Sequence, residues 1–203
     1  MMLVMLVTLA MAGQVPQAGA AASTEAPSRG ENRLPPLVFW MAKGAGCAVA
    51  PSPLKAGCTI SAMPGVAGVG GRCEGVTATL FLDEKTCLAA LPTPAATLVP
   101  FEKAASGALT GCLESIGTTT LDASTVPAAT LLLQICACSA PGIAGISQRG
   151  GGSGRDVARV SVDCMRRAGH HVSDEALKAT EAHAEQMMPA AGTTSAPSSP
   201  PKR

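Results

Sequence analysis

Hydrophobic positions in the second half of the chain recur at helical spacing, and they predict most of the secondary structure. Asp83 is a suitable N-cap for a short helix that carries Cys87 and ends before Pro92. A longer helix is predicted after Pro100, where apolar side chains recur every three or four residues until Gly117. Two glycines inside it, at positions 107 and 111, either weaken this helix or allow close backbone contact.

Three further helices are predicted towards the C-terminus. The first follows Pro127 through AATLLLQICACS, although LLLQI also fits a buried strand. The second covers residues 156–168, with Asp156 as its cap and Gly169 as its stop, although its three valines also fit a strand. The third begins after Ser173 and places one apolar stripe towards the core.

The remaining segments lack helical periodicity and are predicted to be irregular. Residues 42–72 are rich in Gly, Ala and Pro, and residues 140–156 form a glycine-rich loop. GVGGRC, residues 68–73, looks like a phosphate-binding loop but lacks the lysine and hydroxyl pair that contacts phosphate, so a disulfide-flanking loop is predicted. The predicted fold is therefore mainly α, with disulfide-stapled helices joined by long irregular Gly/Pro-rich loops.

The N-terminal hydrophobic block predicts export from the cytosol. Residues 3–12 (LVMLVTLAMA) are uncharged and apolar, and the small residues Ala18-Gly19-Ala20 follow them. This order is typical of a signal peptide, here residues 1–20, which leaves a mature chain beginning at Ala21. A membrane span is disfavoured because it requires about 20 consecutive apolar residues.

Small aliphatic residues dominate the predicted interior. Hydrophobic residues make up 47% of the chain but aromatic residues only 2%, so the core buries less apolar area per residue than one with aromatic anchors. Residues 34–41 (LPPLVFWM) hold the single tryptophan and are predicted to anchor onto the core, in preference to forming an exposed contact patch. The net charge of +1 argues against a nucleic-acid partner.

Eight cysteines are expected to supply the stability that this core lacks. A disulfide typically adds about 2–4 kcal/mol, and an exported chain with an even number of cysteines is expected to pair all of them. Cys138 is predicted to pair with Cys164, and Cys136 with Cys112 or an earlier cysteine. The predicted disulfide cysteines are Cys47, Cys58, Cys73, Cys87, Cys112, Cys136, Cys138 and Cys164.

Cys136 and Cys138 form a C-x-C pair at the end of a predicted helix. A bond between them would strain disulfide geometry, so they are expected to reach different partners. A redox site uses C-x-x-C at a helix N-terminus, and a structural zinc site requires a second close pair of ligands. Both alternatives are disfavoured, and neither a metal nor a cofactor is predicted.

No catalytic constellation is visible in the sequence. His170 and His171 are adjacent and His183 lies in the next predicted helix, so an i, i+4 ligand pair is missing. The sequence also lacks the G-x-S-x-G motif of a nucleophile elbow. A non-enzymatic protein is predicted, with an exported hydrolase assembled from distant residues as the less favoured alternative.

Polar segments flank the predicted domain. Residues 21–33 are expected to be a mobile leader, and residues 189–203 form a disordered Pro/Ser/Thr tail that is typical of an O-glycosylatable stalk. Neither a lipid-anchor signal nor an N-glycosylation acceptor is found in this sequence. The disulfide-rich, mainly helical domain is predicted over residues 34–188.

Residues 131–164, LLLQICACSAPGIAGISQRGGGSGRDVARVSVDC, resemble a segment of trypanosome variant surface glycoproteins. In that segment a leucine-rich run ends in a C-x-C pair, and a Gly/Ser-rich stretch precedes another cysteine. The resemblance implies an α-helical, disulfide-stapled surface antigen that is dimeric and lipid-anchored, presents variable loops to the host and lacks catalysis.

Two functions are consistent with these predictions. The first is a non-enzymatic secreted or cell-surface antigen, whose partners are a second copy of the chain or host proteins. The second is a small secreted disulfide-rich binding module, either an inhibitor or a carrier with an apolar cavity between helices, for which the aromatic-poor core leaves room.

Overall fold

Six strands form one antiparallel sheet in the computed structural model of the protein, which describes residues 34–188. Their order across the sheet is β2-β1-β5-β4-β3-β6, and every neighbouring pair is antiparallel. The strands are β1 (Phe39–Lys43), β2 (Gly46–Ala50), β3 (Thr59–Ala62), β4 (Gly68–Cys73), β5 (Val76–Phe81) and β6 (Thr118–Thr120). The predicted signal peptide, leader and tail lie outside the described residues.

Five helices complete the fold over residues 34–188, and most of them begin where the sequence predicts; the fourth is capped by Ser153 and not, as predicted, by Asp156. Side chains of Asp83, Ser153 and Ser173 accept hydrogen bonds from the first turns of three helices, which stabilises each N-terminus. Gly117 and Gly169 follow two helices with positive φ, as expected of C-terminal stops. The helices are α1 (Glu84–Ala89), α2 (Pro100–Glu114), α3 (Val126–Gln148), α4 (Gly154–Arg167) and α5 (Asp174–Met187).

The sheet shows that the predicted mainly α fold is wrong. Residues 42–72, predicted to be irregular, contain β2, β3 and most of β4. Gly44, with a φ of 62°, lies in the two-residue turn between β1 and β2, a conformation that favours glycine. The glycines of GVGGRC reflect close packing of β4 against its neighbours, since a Cβ on Gly68 would lie 2.7 Å from the Leu80 carbonyl oxygen of β5. Pairing between strands outweighs the weak strand propensity of small residues here.

Helix α3 extends further than predicted and replaces most of the expected glycine-rich loop. It continues through Pro141 to Gln148, so that only residues 149–153 separate it from α4. Ala144 and Ile146 in this extension are buried, and a Cβ on Gly142 would lie 2.7 Å from Val160 of α4. Packing against α4 therefore outweighs the local cost of proline and glycine inside a helix.

The two larger apolar clusters of the described residues hold the layers together, and α3 contributes to both. The first lies between the sheet and the α2–α3 pair; it includes Phe39, Val69, Leu80, Leu113 and Leu133. The second joins α3 to α4 and α5; it consists of Ile135, Val162, Cys164 and Met165 with half-buried neighbours. Among the described helices, α3 is also long and apolar enough to cross a membrane, with a mean hydropathy of 1.6, a property that core helices share.

All eight cysteines are paired in four disulfides. Cys47–Cys87 joins β2 to α1, and Cys58–Cys73 closes the β3–β4 hairpin. Cys112–Cys136 joins α2 to α3, and Cys138–Cys164 joins α3 to α4, in agreement with the connectivity predicted for the second half of the chain. Four disulfides indicate an oxidising environment, as found outside the cell.

Candidate functional site

An apolar cleft of about 240 Å³ opens between α1, α2 and α3. Eight apolar residues line it: Leu82, Leu98, Phe101, Ala105, Leu109, Ala137, Ala140 and Pro141. Five polar residues complete the lining: Asp83, Lys85, Thr86, Glu102 and Ser106. Concave apolar sites that carry a few polar groups are the usual form of small-molecule binding sites, so this cleft is the candidate functional site.

The cleft exists because small side chains face each other where α2 and α3 pack. Phe101, Ala105 and Leu109 follow one another at intervals of four residues and share one face of α2. Ala137 and Ala140 lie on the facing side of α3 and are too short to fill the space. The Cys112–Cys136 disulfide, with Cα atoms 5.6 Å apart, fixes the separation of the two helices.

Phe101 is the most exposed phenylalanine of the described residues. Its exposed fraction is 40%, compared with 2% for Phe39 and 5% for Phe81. Leaving a large aromatic side chain in contact with water forgoes the stabilisation that its burial gives. The exposed ring lies at the edge of the apolar cleft and is accessible to a bound molecule there.

An ion pair joins α1 to α2 beside the cleft. The Lys85 ammonium lies 2.6 Å from Oε1 of Glu102, and Oε2 of Glu102 accepts a hydrogen bond from the Val99 amide at 2.8 Å. The hydrogen bond from Lys85, followed by the one from Val99, lowers the pKa of Glu102 below its usual value. Because both side chains are partly exposed, the pair contributes little stability and mainly orients the groups beside the cleft.

The lowered pKa of Glu102 predicts a loss of stability in acid. A carboxyl group whose pKa is lower in the folded state stabilises the fold above its unfolded pKa, and this contribution disappears as the pH falls through the folded value. We expect urea unfolding midpoints measured between about pH 7 and pH 3 to fall less in the Glu102→Gln variant than in the wild type. Glu175→Gln, an exposed change on α5, is the control and is expected to follow the wild type. Equal acid sensitivity of Glu102→Gln and wild type would contradict this role of Glu102.

Pro141 leaves one main-chain oxygen of α3 without its helical donor. In an α-helix the carbonyl of Ala137 accepts from the amide of residue 141, but proline has no N–H. The nearby Ser139 hydroxyl donates to the Cys136 carbonyl instead, and no residue between 34 and 188 outside the helix donates to Ala137. Both Ala137 and Pro141 line the cleft.

The predicted disulfide cysteines, and the GVGGRC segment and histidines that the sequence disfavours as sites, lie elsewhere in the fold. The cysteines serve as crosslinks, and GVGGRC is a central strand of the sheet. His170 and His171 are exposed in the α4–α5 connection, and the described part of the chain contains no group of three potential metal-binding side chains. Phe39 is buried, which favours the anchor interpretation of residues 34–41.

The sequence allows for an apolar cavity between helices, as the second predicted function requires, but it does not show where the cleft lies. Its walls come from three helices, and the segment that contains Pro141 is predicted as a loop. The one usable signal is the repeat of alanines at helical spacing on α2 and α3. Comparisons of the chain with protein-family models, with curated proteins and with solved structures find no match.

Proposed function

We propose that the protein is a secreted, non-enzymatic binding module that holds a small apolar or amphiphilic ligand in the α1–α2–α3 cleft. The observation that carries this proposal is the partly exposed Phe101 at a cleft with seven other apolar lining residues. A ligand that covers Phe101 removes its exposed surface from water, which supplies the driving force for binding.

The volume of the cleft limits the ligand to a small molecule. The cleft, at about 240 Å³, is smaller than the roughly 300–1,000 Å³ of sites for drug-sized ligands. It therefore suits a single short alkyl chain better than a two-chain lipid. The occupant is therefore a short single-chain amphiphile.

The polar groups of the cleft support binding rather than catalysis. Asp83 Oδ2 accepts hydrogen bonds from the Thr86 amide at 2.7 Å and the Thr86 hydroxyl at 2.8 Å. Glu102 is held by Lys85 and by the Val99 amide. Both carboxylates thus stabilise the N-terminus of a helix, where their negative charge complements the helix dipole. A general base needs a carboxylate that is not already held by such hydrogen bonds.

Secretion is supported by two independent features. Residues 1–20 are predicted to be a signal peptide, and four disulfides need an oxidising compartment to form and persist. The disulfides also fit the role of a carrier. Crosslinked helices hold the cleft in its open shape, whereas an aromatic-poor core alone would hold the helices in place only weakly.

The surface-antigen function remains a prediction. The mainly α fold implied by the resemblance to variant surface glycoproteins is wrong for this chain, since β1–β6 form a sheet. A dimer or a host partner likewise stays a prediction.

Filling the cleft is expected to abolish ligand binding without unfolding the protein. Ala105 is half-buried in the cleft wall, and the Ala105→Leu variant places three more carbon atoms in its space. We expect 1-octanol to bind the wild type in isothermal titration calorimetry and to bind Ala105→Leu at least about tenfold more weakly. Ala128→Leu, at an exposed position in the first turn of α3, is the matched control and should bind like the wild type. A wild type that binds no octanol, or an unchanged affinity in Ala105→Leu, would overturn the proposal.

A further inference from the structure

The face of the sheet that points away from α2 and α3 carries two rows of hydroxyl side chains. Val69 and Leu80 pack in the cluster between the sheet and these helices, so their neighbours along β4 and β5 face the opposite side. Residues paired across antiparallel strands share one face, which extends this outer side to β3 and β6. The two rows across β5, β4, β3 and β6 are Thr79–Gly70–Ser61–Thr118 and Thr77–Arg72–Thr59–Thr120.

Both rows are accessible to solvent. Four of the eight residues are exposed and the others are half-buried; the exposed ones are Arg72, Thr77, Thr118 and Thr120. The spacing of strands makes each row about 14 Å long, and the two-residue step along a strand sets the rows about 7 Å apart. Six of the eight side chains are hydroxyls, and one is charged. The face is thus an almost neutral array of groups that both donate and accept hydrogen bonds.

The strands hold this array in place before any ligand arrives. The Cys58–Cys73 disulfide closes the β3–β4 hairpin directly beside Thr59 and Arg72. The Thr59 and Thr120 hydroxyls lie 3.1 Å apart, which joins the edge strand β6 to β3 through side chains as well as main chain. A site that is ordered in advance loses little conformational entropy on binding.

Gly70 lowers the centre of one row. A Cβ at this position would lie 2.7 Å from the Ser61 hydroxyl oxygen, so a larger residue would displace that hydroxyl. Glycine in the interior of a strand often marks a place where a ligand approaches the main chain closely. The row therefore offers a shallow depression between the hydroxyls of Thr79 and Ser61.

The chemistry of this face fits a neutral sugar chain. Sugar hydroxyls donate and accept hydrogen bonds, as do those of serine and threonine. Nucleic acids and anionic membranes are bound by several lysines and arginines, whereas the two rows contain Arg72 alone. Protein partners are held mainly by aromatic and other large anchors in the centre of an interface, and no residue of the two rows is large and apolar.

We propose that this face binds a neutral polysaccharide in an extended conformation, which lies across the strands between the two rows of hydroxyls. The hydroxyls along both edges of the sugar chain replace the water on the two rows, and Arg72 donates to sugar oxygens. One ring approaches the main chain at Gly70. The inference goes beyond the proposed function and is independent of it, because none of these eight residues lines the cleft.

The experiment removes hydroxyls and keeps the shape of the strands. The triple variant Thr77→Val, Thr79→Val and Thr118→Val retains branched side chains of high strand propensity but loses three hydroxyls. Thr119→Val is the matched control, since Thr119 lies beside Thr118 on β6 and pairs with the buried Ile60 on the other face. The probes are cellohexaose, an extended chain of β-linked glucose, and maltohexaose, a curved chain of the same sugar. Isothermal titration calorimetry gives the affinities, and thermal unfolding verifies that each variant is folded.

We expect the wild type and Thr119→Val to bind cellohexaose and to prefer it to maltohexaose. The triple variant should bind cellohexaose at least about tenfold more weakly, as the loss of three hydrogen bonds predicts. Should the triple variant be unfolded, Thr118→Val alone is expected to weaken binding about threefold. These results leave octanol binding in the cleft unchanged.

Several outcomes would overturn the inference without touching the cleft. They are no binding of cellohexaose by the wild type, no preference for it over maltohexaose, or unchanged affinity in the folded triple variant. Sedimentation equilibrium supplies a further one. A wild-type dimer that the triple variant dissociates would mean that a second copy of the chain covers this face in place of a sugar.

Discussion

Reduction of the four disulfides is expected to unfold the domain at neutral pH and room temperature. The crosslinks span 40, 15, 24 and 26 residues. On the chain-entropy account, each closed loop of this size destabilises the unfolded state by about 3–4 kcal/mol. Native domains are stable by only about 5–15 kcal/mol in total, so even half of the combined effect accounts for most of the stability.

The measurement is helical circular dichroism during urea unfolding, with and without a phosphine reductant. Alkylation and mass analysis of the same samples verify that all eight cysteines have been reduced. We expect native dichroism without reductant and its loss, with little or no added urea, once reduction is complete. An unchanged unfolding midpoint in fully reduced protein would show that the aromatic-poor core is sufficient by itself.

Removal of one disulfide in the core is expected to destabilise the domain by a smaller amount. Cys112 and Cys136 are both buried, and their replacement by alanine leaves the other three disulfides in place. The double variant is expected to lose about 3 kcal/mol of unfolding free energy. Because this disulfide also sets the α2–α3 separation beside the cleft, octanol affinity should fall in the same variant.

Local signals predict the helices well and the sheet not at all. Asp83 and Ser173 are N-caps whose side-chain oxygens sit next to the amides they accept from, so the information lies within four residues. Consecutive strands form hairpins, but the sheet is completed by pairing between distant segments, such as Trp40 opposite Phe81. Its strands also contain glycine and alanine, which carry little strand propensity of their own. Residues 42–72 therefore look irregular until their partners are known.

The position of the cleft cannot be predicted from the sequence, for a related reason. For the disulfides, the C-x-C spacing excludes a bond within the pair, and Cys164 is the next cysteine along the chain to which Cys138 can pair. The cleft has no such local rule, since it is the space left between alanines of two helices. The strong helix-breaking tendency of Pro141 favours a loop at this point of the sequence. Burial of Ala144 and Ile146 reverses that preference.

Glycine at the start of α4 is expected to be far less replaceable than glycine inside α2. A Cβ on Gly154 would overlap the carbonyl oxygen of Ala184 in α5 and lie 2.9 Å from the Glu185 amide nitrogen. The Gly154 amide also donates to the Met188 carbonyl at 2.9 Å, so the two backbones are held together at this crossing. We expect Gly154→Ala to lower the free energy of unfolding by about 2–4 kcal/mol, measured in urea with the disulfides intact.

Gly107→Ala is the matched control and is expected to change stability in the opposite direction. Gly107 lies within α2, and a Cβ added there would have no neighbouring atom within 4 Å, so alanine should add about 0.5–1 kcal/mol through lower unfolded-state entropy. The close backbone contact that the sequence allows at positions 107 and 111 thus occurs instead at Gly154. Because the obstructing atoms at Gly154 are backbone, trimming Ala184 to glycine should not rescue Gly154→Ala. Rescue by that second change, or a neutral Gly154→Ala variant, would mean that α4 and α5 separate easily and that the contact contributes little.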